Sequence, residues 1–88
     1  MMPRFPTRVS VTPKDISEGL PGKPCKCPVA TASERALKCT VYADKDLAFI
    51  YDGADPDAPD IVPWPESVIV FIDRFDNRLS VEPFSFTL

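Results

Sequence analysis

The sequence contains no histidine, and that absence removes a large part of enzymology at once. Serine–histidine–aspartate triads, cysteine–histidine dyads, histidine-ligated metals and the commonest general base at neutral pH are all excluded. Glycine is scarce as well. With three glycines and neither a GxxxxGK[ST] nor a GxGxxG loop, a backbone cradle for a nucleotide phosphate has no support. Long apolar runs are missing too: the longest clean stretch, residues 68–72, falls far short of the roughly 18 residues that cross a bilayer. The opening MMPRFPTRVSV has arginines and prolines but no apolar stretch of a secretory signal. The expected compartment is therefore the cytoplasm, where thiols are reduced.

What is present points to a single globular core. The 88 residues are 44% hydrophobic and include one Trp, two Tyr and six Phe, enough for one domain and too few for two. Eleven prolines divide the chain into short elements. Charge is uneven: residues 1–43 carry seven Lys/Arg against three Asp/Glu, a net of +4, and residues 44–88 carry three against ten, a net of −7. Such asymmetry can steer a partner, but the acidic balance does not suit a general phosphate-binding surface.

Pro3 and Pro6 make residues 1–7 a loose arm, with order expected over residues 8–88. Residues 8–12 alternate polar and apolar, as a half-buried strand does, with Val9 and Val11 inward. Thr12 followed by Pro13 is a helix-start signal, giving a short helix over 13–18 that Gly19 ends, with Ile16 inward and Leu20 packing just beyond. LPGKPCKCP must be a loop of nearly fixed path. Pro28 then opens a small-residue helix to Leu37, with Val29, Ala32, Ala36 and Ser33 on one face.

Residues 38–43 and 47–51 read as a hairpin turning at Asp44-Lys45-Asp46. DGADPDAPD reads as a surface loop. The stretch from Pro63 to Leu79 is ambiguous: VIVFI has the composition of a buried strand, while Val68, Ile72, Phe75 and Leu79 follow helical spacing. Glu66 in the first turn, Arg74 and Arg78 near the end, and Asn77 as a left-handed terminator favour a helix. Phe84, Phe86 and Leu88 alternate as a terminal strand after Pro83. The expected fold is α+β, a small, mainly antiparallel sheet with helices on one face, in the order strand-helix-helix-strand-strand-helix-strand.

Cys25 and Cys27 form a Cys-x-Cys pair before a helix, and Cys39 follows. A thiolate at a helix N-terminus, near Lys23 and Lys26, can have a depressed pKa and be reactive. The three cysteines could also bind zinc if an aspartate or a subunit partner supplied a fourth ligand. The plainer reading is three structural thiols, with Cys27 the buried one and no cofactor. Asp52, Asp55, Asp57 and Asp60 lack the order of a calcium loop and read as a solvated turn. Trp64, held between Pro63 and Pro65, is either an interface anchor or a hydrophobic staple at the approach to the last helix.

Two stretches, VSVTPKDISEGLPGKPCKCPVATASERAL and FIDRFDNRLSVEPFSFTL, resemble a group of short uncharacterised proteins from actinobacteria and their phages. The shared pattern is a glycine-containing turn followed by a CPVA-like segment, over residues 19–30. A late FI-x-x-FD segment, residues 71–76, and a PF-x-F ending, residues 83–86, complete it. The resemblance implies a phage or prophage origin, assigns no activity, and among the cysteines draws attention to Cys27 alone.

The leading expectation is a non-enzymatic interaction or accessory protein that binds a protein partner, with Trp64, Lys23 and Lys26 as candidate contacts. The alternatives are a nucleic-acid-binding accessory using Arg4, Arg8, Lys14, Lys23 and Lys26, and a thiol- or zinc-dependent module at Cys25, Cys27 and Cys39. An exposed edge at the terminal strand offers a route to a homodimer.

Overall fold

A computed structural model describes residues 6–23, 26–51 and 57–88. Within them the elements follow in the order β1 (Arg8–Val11), α1 (Pro13–Glu18), α2 (Pro28–Leu37), β2 (Thr40–Ala43), β3 (Leu47–Tyr51), β4 (Asp60–Pro63), α3 (Glu66–Asp76) and β5 (Phe84–Thr87). The fold is α+β. The expected order is present, with β4 added between β3 and α3.

Each helix starts for a local reason. Thr12 caps α1 in a reciprocal box: its hydroxyl accepts from the Asp15 amide at 3.2 Å, and the Asp15 carboxylate accepts from the Thr12 amide at 2.9 Å. Two amides that the first turn leaves without intrahelical partners are thereby satisfied. Pro28 occupies the first turn of α2 and Pro65 precedes α3, positions where the missing N–H costs no helical hydrogen bond. At its far end α2 turns through Lys38 in the left-handed region, φ 58°, and the Lys38 amide donates to the Glu34 carbonyl at 2.7 Å.

The strands form two antiparallel pieces rather than one continuous sheet: β1 pairs with β5, and β3 lies between β2 and β4. At β2 the Val41 amide donates to the Glu34 carboxylate at 3.1 Å, so a side chain of α2 satisfies an amide of that strand. Beyond β1 and β5 the pairing continues one step, with the Thr7 amide donating to the Leu88 carbonyl at 2.8 Å and the Leu88 amide to the Thr7 carbonyl at 2.9 Å.

One apolar cluster joins everything. Val9 and Val11 from β1, Val29, Ala30 and Ala32 from α2, Val41, Ala48 and Ile50 from the hairpin, and Val68, Phe71, Ile72 and Phe75 from α3 are all buried in it. Full burial of a Val or Ile side chain contributes about 1.5–3 kcal/mol. Phe71 stacks on Phe84 with ring centroids 4.9 Å apart, fixing α3 against β5.

Four local expectations need correction. Leu79 lies beyond the end of α3 and is half exposed, so the helical apolar series closes at Phe75. Leu20 does not pack inward but is half exposed, because Gly19 fits against the Pro28 ring and Phe75, and the chain turns outward beyond it. The left-handed residue after α3 is Arg78, φ 60°, not Asn77. Asn77 keeps φ at −91° and donates from its side-chain amide to the Asp73 carbonyl at 2.7 Å, so the reversal falls one residue later. Finally, β4 lies inside the stretch that reads as loop and helix approach. No helix among the described residues is long and apolar enough to cross a membrane.

Candidate functional site

The residues singled out by sequence lie in different places. Cys27 caps α2 from a site only 3% exposed. Burial pushes its thiol above the ordinary value, with a smaller contribution in the same direction from Asp76. The Val29 and Ala30 amides oppose that shift but close no capping hydrogen bond. The expectation of a depressed pKa is therefore reversed at Cys27: the helix terminus is present, but desolvation outweighs it. Cys39 is half-buried, and Cys25 lies outside the described residues, as do Arg4, Asp52 and Asp55. Among the described residues no three His, Cys, Asp or Glu side chains converge as a metal site would require.

Lys23 and Cys27 do come together. With Asp76, Lys45 and Ile72 they line a small recess of about 200 Å³ between the α1–α2 loop and α3. The recess is fastened by the Gly22 amide, which donates to the Asp76 carboxylate at 3.0 Å. Lys26 stands on the same loop, where the Leu20 amide donates to its carbonyl at 2.9 Å.

Trp64 is only 4% exposed. Its indole N–H donates to the Asp44 carbonyl at 2.9 Å, its backbone amide to the Asp46 carbonyl at 3.1 Å, and its ring meets Phe86 edge-on at 5.8 Å. The side chain ties the β2–β3 turn to β5, and little of it is left for a partner.

Two surfaces not apparent from sequence motifs stand out instead. The first flanks α3. Val70 is 51% exposed, with a groove on either side. One groove, about 390 Å³, runs between α3 and residues 80–84 over Phe71, Val81 and Phe84, with Arg74 and Glu82 on its walls. The other, about 460 Å³, has Ile69, Val70 and Ile72 as its apolar lining and Asp46, Asp73 and Asp76 against a single cation, Lys45. Helical spacing brings Val70, Asp73 and Asn77 to one outer stripe, while the hairpin turn delivers Lys45 and Asp46.

The second is the outer face of the three-stranded sheet. Tyr42, Phe49 and Ile61 are aligned across β2, β3 and β4, and Leu47 lies opposite Pro63. Tyr51 meets Tyr42 edge-on at 5.4 Å. A readable signal existed in LAFIY, which has no charged residue at any position, so both faces of β3 are largely apolar and both favour cover.

Searches against protein-family models, curated proteins and solved structures find no match to this chain.

Proposed function

We propose that the protein is a small non-enzymatic interaction or accessory protein that holds a protein partner in the acidic groove beside α3. The observation that carries this reading is the lining of that groove: Ile69, Val70 and Ile72 surrounded by Asp46, Asp73 and Asp76 with only Lys45 to offset them. An apolar floor supplies contact area and the carboxylates supply orientation, so a segment with an apolar anchor between Lys or Arg residues is the complementary chemistry. The net of −7 over residues 44–88 has the same sign as the groove and would speed encounter with a basic partner. The resemblance to short actinobacterial and phage proteins supports an accessory role of phage or prophage origin in the cytoplasm.

The nucleic-acid alternative has thinner support. Lys14 lies 3.9 Å from Glu18 and Arg35 is engaged by Asp15, so the positive half of the chain offers fewer uncommitted cations than its formula suggests. A thiol- or zinc-dependent role remains the third alternative.

The test is recovery of a partner by tagged wild-type protein beside Val70→Asp, Asp73→Lys and Ile61→Lys variants. One protein at near-equal stoichiometry, weakened at least about tenfold by the first two changes and by added salt but kept by the third, is the expected result. Co-purifying nucleic acid released steeply by salt would move the conclusion to the alternative. Loss through Ile61→Lys alone would place the partner elsewhere.

A further inference from the structure

We infer that the outer face of the three-stranded sheet is the contact surface of a two-fold homodimer. Side chains alternate along each strand, and the inward set here is Val41, Ala43, Ala48, Ile50 and Val62, within or against the core, with Asp60 beside Ile50 at the exposed corner. The opposite set contains no charge. It consists of the Tyr42–Phe49–Ile61 row, the Leu47–Pro63 pair and the Thr40–Tyr51 pair. Leu47, Phe49 and Tyr51 belong neither to the core cluster nor to the side chains packed against it, and Ile61 is 56% and Tyr42 40% exposed. An antiparallel sheet with a solvated outer face normally carries polar residues there. Leu47, Phe49 and Tyr51 are half-buried, Tyr51 partly by its edge-on contact with Tyr42, and the open part of the face is carried by Tyr42 and Ile61.

The absence of charge suits a second copy of the same chain. Twenty-six percent of the chain is charged, yet none of that charge falls on these outward positions. A second copy necessarily presents the same face, so a charged surface would oppose itself, as the carboxylates beside α3 would. An uncharged aromatic face meets its own copy without that penalty, and two antiparallel sheets packed face to face about 10 Å apart are a common arrangement. β3 is the central strand. A two-fold axis running along it places Phe49 over Phe49 and Tyr42 of each copy over Ile61 of the other, large against smaller. Three short strands give a footprint below the roughly 800 Å² per partner of the usual stable interface, so the association is concentration-dependent.

Sedimentation equilibrium of the full chain from micromolar to millimolar concentration is the experiment. The expected result is a rise from the 9.8 kDa monomer towards twice that mass. Ile61→Lys and Phe49→Glu should each hold the protein at the monomer mass with unchanged circular dichroism, whereas Val70→Asp should still dimerise. Mixing Ile61→Lys with Tyr42→Glu should restore the dimer, because this axis puts the new lysine opposite the new glutamate. A monomer at every concentration, or a dimer that survives both Ile61→Lys and Phe49→Glu, overturns the inference; no recovery in the mixture overturns the axis.

Discussion

The Arg35 guanidinium grips the Asp15 carboxylate with both terminal nitrogens, at 2.9 and 2.8 Å, and with one of them also reaches the Ser10 carbonyl at 2.9 Å. A single side chain of α2 thus fastens α1 and the end of β1. Asp15 is the same residue that completes the capping box of α1, so its carboxylate serves two contacts that favour its charged form.

Acid should therefore loosen this corner. Hydrogen bonds from Arg35, which outweigh burial, hold the Asp15 carboxyl below its ordinary 3.8. A depressed folded-state pKa means that the stabilisation is complete above the ordinary value and disappears as pH falls through the lower, folded one. Asp15→Asn should destabilise the protein at neutral pH by about 1.5–3 kcal/mol, the worth of hydrogen bonds to a charged group. The lower end is expected because the Arg35 side chain is half exposed. Urea midpoints between neutral and strongly acidic pH should show a shallower acid limb in the variant, and parallel limbs would contradict this account.

Gly19→Ala should destabilise, against the usual trend. Glycine to alanine normally stabilises where the backbone permits, by restricting the unfolded chain. Gly19 has φ −72°, which alanine adopts freely, but an added Cβ would lie 2.7 Å from two carbons of the Pro28 ring and 3.0 Å from Phe75. Overpacking of this kind costs roughly 1–3 kcal/mol. Emission from buried Trp64 would follow the melt, and an unchanged or higher midpoint would show that α2 yields easily there.

Cys27 should be inert in the native state. Buried and held in its neutral form, it should resist alkylation at neutral pH and react at the ordinary rate in denaturant, as mass spectrometry of the labelled peptide would show. Protein purified without chelator should contain no stoichiometric zinc. A one-to-one metal content lost in Cys27→Ser, and equally in Cys25→Ser and Cys39→Ser, would instead establish the three-cysteine site.

Much of the framework is legible in the sequence because its signals are local. Thr12-Pro13 announces α1, Asp44-Lys45-Asp46 turns the hairpin, and Val68, Ile72 and Phe75 fall on the buried face of α3. β4 is not legible: only Ile61 and Val62 are apolar, a proline ends the strand, and the partner that organises it, β3, is remote from any local rule. Division of the strands into two sheets has no local motif either, nor does the tertiary contact of the Glu34 side chain with the Val41 amide. The candidate surfaces divide in the same way. The apolar outer face could be read from LAFIY, but the acidic groove exists only once α3 and the hairpin turn lie side by side.

The paired hydrogen bonds between Thr7 and Leu88 bear on mechanics as well as on folding. Because β1 and β5 are antiparallel, the start of β1 and the end of β5 lie at the same end of the pair. Tension applied through those ends would peel the strands apart rung by rung, loading one hydrogen-bonded pair at a time rather than shearing all of them together. The domain should therefore yield to low force along the direction in which its own ends are pulled, with Val9, Val11 and Phe86 drawn out of the core as their rungs open.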